Sequence, residues 1–130
     1  MIIIGHRFIP SQSIYHVANI DAINKTPPAS TLYLEFDEEN LETINHARDN
    51  NLSFALGVKS ITQAVYASSL GASFILVDKE LAHSVQKLAN EYLYDAKVLV
   101  HIQKEEEIES FALSGIDGVI FSNAIIKISS

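Results

Sequence analysis

The sequence contains no cysteine, and this absence excludes several kinds of site. Without thiols the chain forms no disulfide, offers no thiolate nucleophile and builds no zinc site from cysteine ligands. No apolar run approaches the roughly 18 residues that a membrane span needs. The opening Met1-Ile2-Ile3-Ile4 is also too short for the apolar region of a signal peptide, and no basic residue precedes it. We therefore expect a cytoplasmic protein with no membrane partner.

Positive charge is scarce as well. Nine Lys and Arg residues stand against 16 Asp and Glu residues, the formal net charge is −7, and the basic residues are scattered along the chain. Nucleic-acid phosphates are bound mainly by clustered Lys and Arg side chains. We therefore expect no nucleic-acid partner.

What the sequence does contain is a regular series of short apolar runs. The chain has 130 residues, of which 48% are hydrophobic, and no linker or low-complexity segment divides it, so 1–130 is expected to be a single domain. Six runs rich in Ile, Val, Leu or Phe are typical of strands: Ile2–Phe8, Thr31–Phe36, Ser53–Val58, Ser73–Val77, Ala96–His101 and Gly118–Phe121. The last five begin about 22 residues apart, which leaves room for one helix between neighbouring strands.

The segments between these runs carry helix signals and an internal repeat. Ser60 with Gln63 forms a capping box at the start of one helix. Gly71 and Gly115 stand where a helix ends in the left-handed conformation. A shift of 44 residues lays Gly71 on Gly115 (115 − 71 = 44) and one apolar strand on another. One strand–helix turn geometry is thus reused, as in a barrel or an open parallel sheet.

These patterns predict an α/β fold with a partial or open TIM-barrel-like parallel sheet. We expect about five sequential βα units with an N-terminal strand or hairpin, in which Ile14–Val17 pairs back onto Ile2–Phe8. The alternative is a flavodoxin-like, doubly wound sheet, which reordered strands would indicate. An open sheet leaves exposed edges, so we expect a homo-oligomer, most simply a twofold dimer.

Functional groups of parallel βα sheets gather at the carboxyl ends of the strands. Polar residues at the predicted strand ends are therefore the candidate site residues, and they are His6, Arg7, Glu35, Asp37, Lys59, Asp78, His101 and Ser122. His16, His46 and His83 do not form a metal-ligand spacing and are given no role.

At this point the sequence resembles a known family. Ile2-Ile3-Ile4-Gly5-His6-Arg7, followed by Leu34-Glu35-Phe36-Asp37, is similar to the opening of glycerophosphodiester phosphodiesterases, and Val98–His101 with Gly115–Ile120 resembles their C-terminal end. The resemblance implies a metal-dependent phosphodiester hydrolase. In it, His6 is an acid/base, Arg7 clamps the phosphate, and Glu35 and Asp37 bind Mg²⁺ or Ca²⁺. The partner it implies is a phosphate-bearing small molecule.

The chain departs from that family in several places. Phe8 stands where the family has a glycine, the family's second histidine has no clear match, and 130 residues are fewer than a full barrel needs. From Leu32 to Ala124 the chain also resembles 2-keto-3-deoxy-6-phosphogluconate aldolases, with Glu35 at their catalytic glutamate. Ile120 occupies the position of their Schiff-base lysine, which argues against that lyase activity.

Each candidate residue also has a structural interpretation. Asp37 and Asp78 follow strands and are placed to cap the next helix. Glu35 is expected to be buried and to need a partner, for which Arg7 is a candidate. His101 is interpreted as a strand-end histidine with its hydrogen bonds satisfied. A catalytically inert barrel relic that acts as an oligomeric scaffold or binding protein is therefore the alternative function. It predicts that Glu35 and Arg7 pair with each other or lie apart from His6.

Overall fold

The structure, a computed structural model, describes residues 1–128 and contains strands alternating with short helices. Its strands are β1 (Ile2–Ile4), β2 (Ile14–His16), β3 (Thr31–Glu35), β4 (Phe54–Gly57), β5 (Phe74–Val77), β6 (Lys97–Ile102), β7 (Gly118–Phe121) and β8 (Ile125–Lys127). Its α-helices are α1 (Ile20–Ile23), α2 (Leu41–Asp49), α3 (Ile61–Ser69), α4 (Lys79–Tyr92) and α5 (Glu107–Leu113). Single 3₁₀ turns follow β3 at Glu38–Asn40 and β7 at Ser122–Ala124.

The strands form one parallel sheet in the order β1-β7-β6-β5-β4-β3-β2-β8. From β3 to β7 the neighbours follow the chain order, which confirms the sequential βα units and differs from the reordered strands of a doubly wound sheet. The barrel-like character is confirmed too. The expected number of strands was too low, because the described residues contribute eight to the sheet.

The sheet is curled, and its two ends approach each other. In residues 1–128 no strand pairing joins β1 to β8, so the sheet remains open there. The side-chain amide of Asn123, just before β8, nevertheless donates a 3.0 Å hydrogen bond to the carbonyl of Gly5, just after β1. A β-carbon on Gly5 would lie 3.0 Å from Cβ of Ala124. Gly5, with φ of +100°, therefore suits both the turn and this close approach.

The expected N-terminal hairpin was wrong. Ile14 does begin a strand, but it pairs in parallel with Thr31 of β3 and Ile125 of β8 rather than with β1. The physical reason is the connection: residues 5–13 contain no helix and return the chain from the end of β1 to the start of β2. The short strand β8 was missed because it has only three residues and follows β7 directly through a 3₁₀ turn.

Two apolar clusters line the two faces of the sheet. The inner cluster has one buried residue from each of β1 to β7 and one from the 3₁₀ turn after β7. These residues are Ile4, Ile14, Tyr33, Ala55, Leu76, Leu99, Ile120 and Ala124. Strand β8 adds the partly buried Ile125. The outer cluster packs the opposite side chains against the helices, where Ala64, Ala82 and Val85 are fully buried. Because side chains alternate between the faces of a strand, both clusters follow from the continuous apolar runs in the sequence.

Local helix signals operate as the sequence predicts. The hydroxyl of Ser60 accepts a 3.1 Å hydrogen bond from the Gln63 amide, and Oε1 of Gln63 accepts one of 2.8 Å from the amide of Lys59. Gly71 and Gly115 follow α3 and α5 with φ of +88° and +79°. Among residues 1–128, no helix combines the length and the apolar composition needed to cross a membrane.

Candidate functional site

A pocket of about 190 Å³ opens at the carboxyl ends of the strands. Its walls come from β3, β4, β5, β6 and β8 and from the residues that directly follow them: Tyr33, Glu35, Gly57, Val58, Lys59, Leu76, Val77, Asp78, His101 and Ile125. Four of the candidate residues predicted at strand ends therefore share this mouth pocket, namely Glu35, Lys59, Asp78 and His101.

The polar rim of the mouth pocket follows from the two-residue period of the strands. Leu76 and Leu99 belong to the inner apolar cluster, and two residues further along their strands stand Asp78 and His101. Side chains two residues apart point to the same face of a sheet. An apolar floor inside the sheet therefore gives way to charged and polar groups at its mouth, which is the arrangement of a ligand site in a barrel.

Tyr33 and Glu35 form the central contact of this rim. The Tyr33 hydroxyl donates a 2.7 Å hydrogen bond to Oε1 of Glu35. Burial raises the pKa of Tyr33, and the hydrogen bond to Glu35 and the negative charges of Glu35 and Asp78 raise it further. The phenol thus stays protonated and donates. The expected burial of Glu35 was wrong: it is exposed, because it is the last residue of β3 and its carboxylate reaches the mouth.

Gly57 makes room for this contact. It lies beside Glu35 in the pairing of β3 with β4. A β-carbon at Gly57 would collide with the Tyr33 hydroxyl and would lie 2.8 Å from Oε2 of Glu35. Sequence reasoning missed both Gly57 and Tyr33. The available signals were a glycine at the end of a strand, which leaves room for a neighbouring side chain, and a tyrosine two residues before Glu35 on the same face of its strand.

His101 and Ser122 form a second polar contact at the ends of two neighbouring strands. Nε2 of His101 lies 2.7 Å from Oγ of Ser122. His101 is half-buried and Ser122, directly after β7, is exposed. The structural interpretation of His101, a strand-end histidine with a hydrogen-bonded ring, agrees with this contact. The contact also pairs a hydroxyl with a potential base.

The two aspartates of the candidate list differ in their surroundings. Asp37 caps the 3₁₀ turn, since its Oδ1 accepts a 2.9 Å hydrogen bond from the amide of Glu39. Asp78 occupies the N-cap position of α4, but within the described part of the chain its side chain makes no capping hydrogen bond. Asp78 therefore lines the mouth pocket with its carboxylate available, whereas Asp37 lies outside the pocket and is engaged by the backbone.

His6 and Arg7 lie away from the mouth pocket. Nε2 of His6 is 2.7 Å from Oε2 of Glu105, and Nδ1 accepts a 3.1 Å hydrogen bond from the amide of Phe8. Since Nδ1 accepts, Nε2 carries the proton and donates to Glu105. This hydrogen bond lowers the pKa of Glu105. The Arg7 guanidinium stacks 4.5 Å from the centre of the Phe8 ring.

The four residues singled out by the phosphodiesterase resemblance are therefore not gathered in one pocket. In the sheet, β1 pairs with β7, whereas β3 pairs with β2 and β4, so His6 and Glu35 do not follow paired strands. The opening strand therefore does not pair with the strand that carries Glu35, because β1 joins the sheet at β7. Within residues 1–128, no three His, Asp or Glu side chains converge as a metal site.

His16, for which no role was predicted, lies beside the rim. Its ring centre is 5.0 Å from that of Tyr33. Burial lowers the pKa of His16; the charge of Glu35 opposes this effect, and the charge of Lys127 adds to it. His16 therefore belongs to the electrostatic surroundings of Glu35.

Comparison with known proteins gives no family: no family model matches the chain, and no curated protein matches its sequence. The resemblance to glycerophosphodiester phosphodiesterases stays a prediction.

Proposed function

We propose that the mouth pocket binds a small phosphate-bearing molecule. The observation that carries this proposal is the presence of Lys59, Glu35, Asp78 and His101 around one pocket. Lys59 is exposed and supplies a positive charge for the phosphate. The volume of about 190 Å³ suits a compact ligand with few atoms. Val58, Leu76 and Ile125 provide the apolar surface on which its carbon atoms rest.

A divalent cation reconciles the phosphate with the two carboxylates of the pocket. Mg²⁺ is commonly bound by one or two carboxylates together with phosphate oxygens and water. Tyr33 occupies only Oε1 of Glu35, which leaves Oε2 available, and Asp78 is free of helix capping. We therefore assign cation binding to Glu35 and Asp78. Asp37, which the resemblance implies as the second ligand, accepts a backbone hydrogen bond outside the pocket.

An inert relic of a barrel enzyme, acting as an oligomeric scaffold, is the second candidate. It is favoured by one observation: His6 hydrogen-bonds Glu105 rather than facing Glu35. This candidate predicts a concentration-dependent homodimer in sedimentation velocity and no response of the mouth pocket to phosphate compounds. A monomer that responds to such compounds would exclude it.

Thermal unfolding in the presence of glycerol 3-phosphate tests the proposal. We expect the compound to raise Tm in the presence of Mg²⁺, because a ligand that binds only the folded state stabilises it. EDTA should reduce the rise. Lys59→Met and Glu35→Gln should each abolish it.

Glu39→Gln is the matched control, since Glu39 is an exposed carboxylate in the same segment but outside the pocket. It should respond as the wild type does. An absent Tm rise in the wild type, or an equal rise in Lys59→Met, would overturn the proposal.

A further inference from the structure

The hydrogen bond between Ser122 and His101 has the geometry of a nucleophile with its base. Resting on the proposed function, we propose that the pocket hydrolyses phosphomonoesters, with Ser122 as the nucleophile and His101 as the general base. The 2.7 Å separation of Oγ and Nε2 lies within the range of about 2.6–3.2 Å expected for such pairs.

The sheet holds the two side chains together. In the pairing of β6 with β7, His101 lies beside Ile120, and Ser122 follows Ile120 by two residues on the same face. The backbone carbonyl of Ser122 accepts a hydrogen bond from the amide of Ile125, which fixes the turn that carries the hydroxyl. The pair is thus positioned by regular backbone structure and not by a long loop.

The pair adjoins the pocket through His101. His101 is half-buried and lines the pocket wall, whereas Ser122 is exposed, so a bound phosphate can approach the hydroxyl from solvent. Lys59 in the same wall offsets the negative charge of the phosphoryl group as it is transferred.

Another group of hydroxyls shows the contrast. At the opposite end of the strands, Ser53 hydrogen-bonds both Thr31 and Ser73 at 3.0 Å. These three hydroxyls hydrogen-bond one another and brace three neighbouring strands. The Ser122 hydroxyl, by contrast, lies beside an imidazole, a group that can take its proton when it attacks.

The reaction proceeds in two balanced steps. In the first, Oγ of Ser122 forms a bond to phosphorus while the bond from phosphorus to the ester oxygen breaks. The Ser122 proton passes to Nε2 of His101 and is then released to solvent, while the departing alkoxide, on the opposite side of phosphorus, takes up a proton from solvent. In the second, His101 takes a proton from water, whose oxygen attacks phosphorus. The phosphoserine bond breaks, the proton returns to Oγ, and inorganic phosphate leaves.

The test uses the full chain with p-nitrophenyl phosphate and Mg²⁺. We expect release of p-nitrophenol and, after an acid quench, a phosphoryl group on Ser122 that peptide mass spectrometry locates. Ser122→Ala should remove the phosphoserine and lower kcat by about 10²–10⁴-fold. His101→Gln should lower kcat as well. Ser84→Ala, an exposed serine on α4, is the matched control and should behave as the wild type.

Failure of this inference is distinguishable from failure of the proposed function. If glycerol 3-phosphate raises Tm but Ser122 is never phosphorylated, the pocket binds without this chemistry and the inference is overturned. Phosphorylation at a residue other than Ser122, or turnover unchanged in Ser122→Ala, would overturn it equally. If Tm does not rise either, the proposed binding function fails as well.

Discussion

The hydroxyl of Tyr33 lies 2.7 Å from Oε1 of Glu35, two residues further along the same strand. This contact joins the apolar interior of the curled sheet to its polar mouth, because Tyr33 is buried and Glu35 is exposed. It fixes one oxygen of the carboxylate and leaves the other for a ligand. The proposed binding site therefore depends on a pair of residues that sequence spacing alone did not single out.

Replacing Gly57 with alanine should disturb this pair. The added β-carbon would collide with the Tyr33 hydroxyl and approach Oε2 of Glu35. We expect a loss of about 1–3 kcal/mol in the free energy of unfolding, as for other overpacked sites, and a weaker Tm response to glycerol 3-phosphate. Urea denaturation measures the first effect and thermal unfolding the second.

A double-mutant cycle provides the control for Gly57→Ala. Removing the hydroxyl by Tyr33→Phe should make the alanine less destabilising, because the nearest colliding atom is gone. Equal costs in the two backgrounds would show that the hydroxyl does not occupy the space over Gly57.

His16 should titrate below its ordinary pKa of 6.5, since burial lowers the value. The unfolded chain then takes up this proton at a higher pH than the folded chain. The contribution of His16 to stability is accordingly present above pH 6.5 and is lost as the pH falls through the folded-state pKa. NMR titration of the ring, together with unfolding measurements across this range, checks both statements.

Glu35→Gln tests whether the charge of Glu35 raises the pKa of His16. The charge of Glu35 raises the pKa of His16 against the larger effect of burial, so its removal should lower that pKa further. A rise, or no change, would contradict the placement of Glu35 beside His16. Glu39→Gln serves again as the control and should leave the titration unchanged.

His6→Ala should lower the stability of the protein, whereas His101→Ala should weaken its response to the ligand. The His6 side chain is 11% exposed and contacts Glu105, Phe8 and Phe121, so its loss should cost about 1–2 kcal/mol of stability and leave the ligand response intact. His101→Ala should weaken the ligand response instead, because His101 lines the pocket. If His6→Ala loses the ligand response while circular dichroism shows that its fold is retained, His6 contributes to the binding site and this prediction is wrong.

Ser60→Ala should destabilise the protein by about 1 kcal/mol, because it removes the hydroxyl that caps α3. Ser60→Asp should retain the stability, as aspartate is also a good N-cap. Equal losses in both variants, measured by urea denaturation, would mean that the cap contributes little.

The fold could be predicted where local signals and packing agree. The runs that became β3 to β7 are apolar on both faces, and Ser60, Gly71 and Gly115 mark helix ends by their own chemistry. The places of β1, β2 and β8 could not be predicted, since each has three residues and its neighbours are chosen by the closing curvature of the sheet. Short strands carry too little pattern to specify a partner.

The site was predictable in part for the same reason. Glu35, Lys59, Asp78 and His101 follow strands of the sequential region, so the rule about carboxyl ends brings them together. His6 and Arg7 follow β1, whose position depends on long-range pairing, and they lie elsewhere. Tyr33 was overlooked because its hydroxyl matters only once the side chain is known to point inward.

The central claim, that the mouth pocket binds a phosphate-bearing molecule, is tested most directly by backbone NMR of the labelled protein titrated with glycerol 3-phosphate and Mg²⁺. The account predicts saturable shifts centred on Tyr33, Glu35, Gly57, Lys59, Asp78 and His101. Shifts that are absent at saturating ligand, or that centre on the Glu105 side of the molecule around His6, would contradict it.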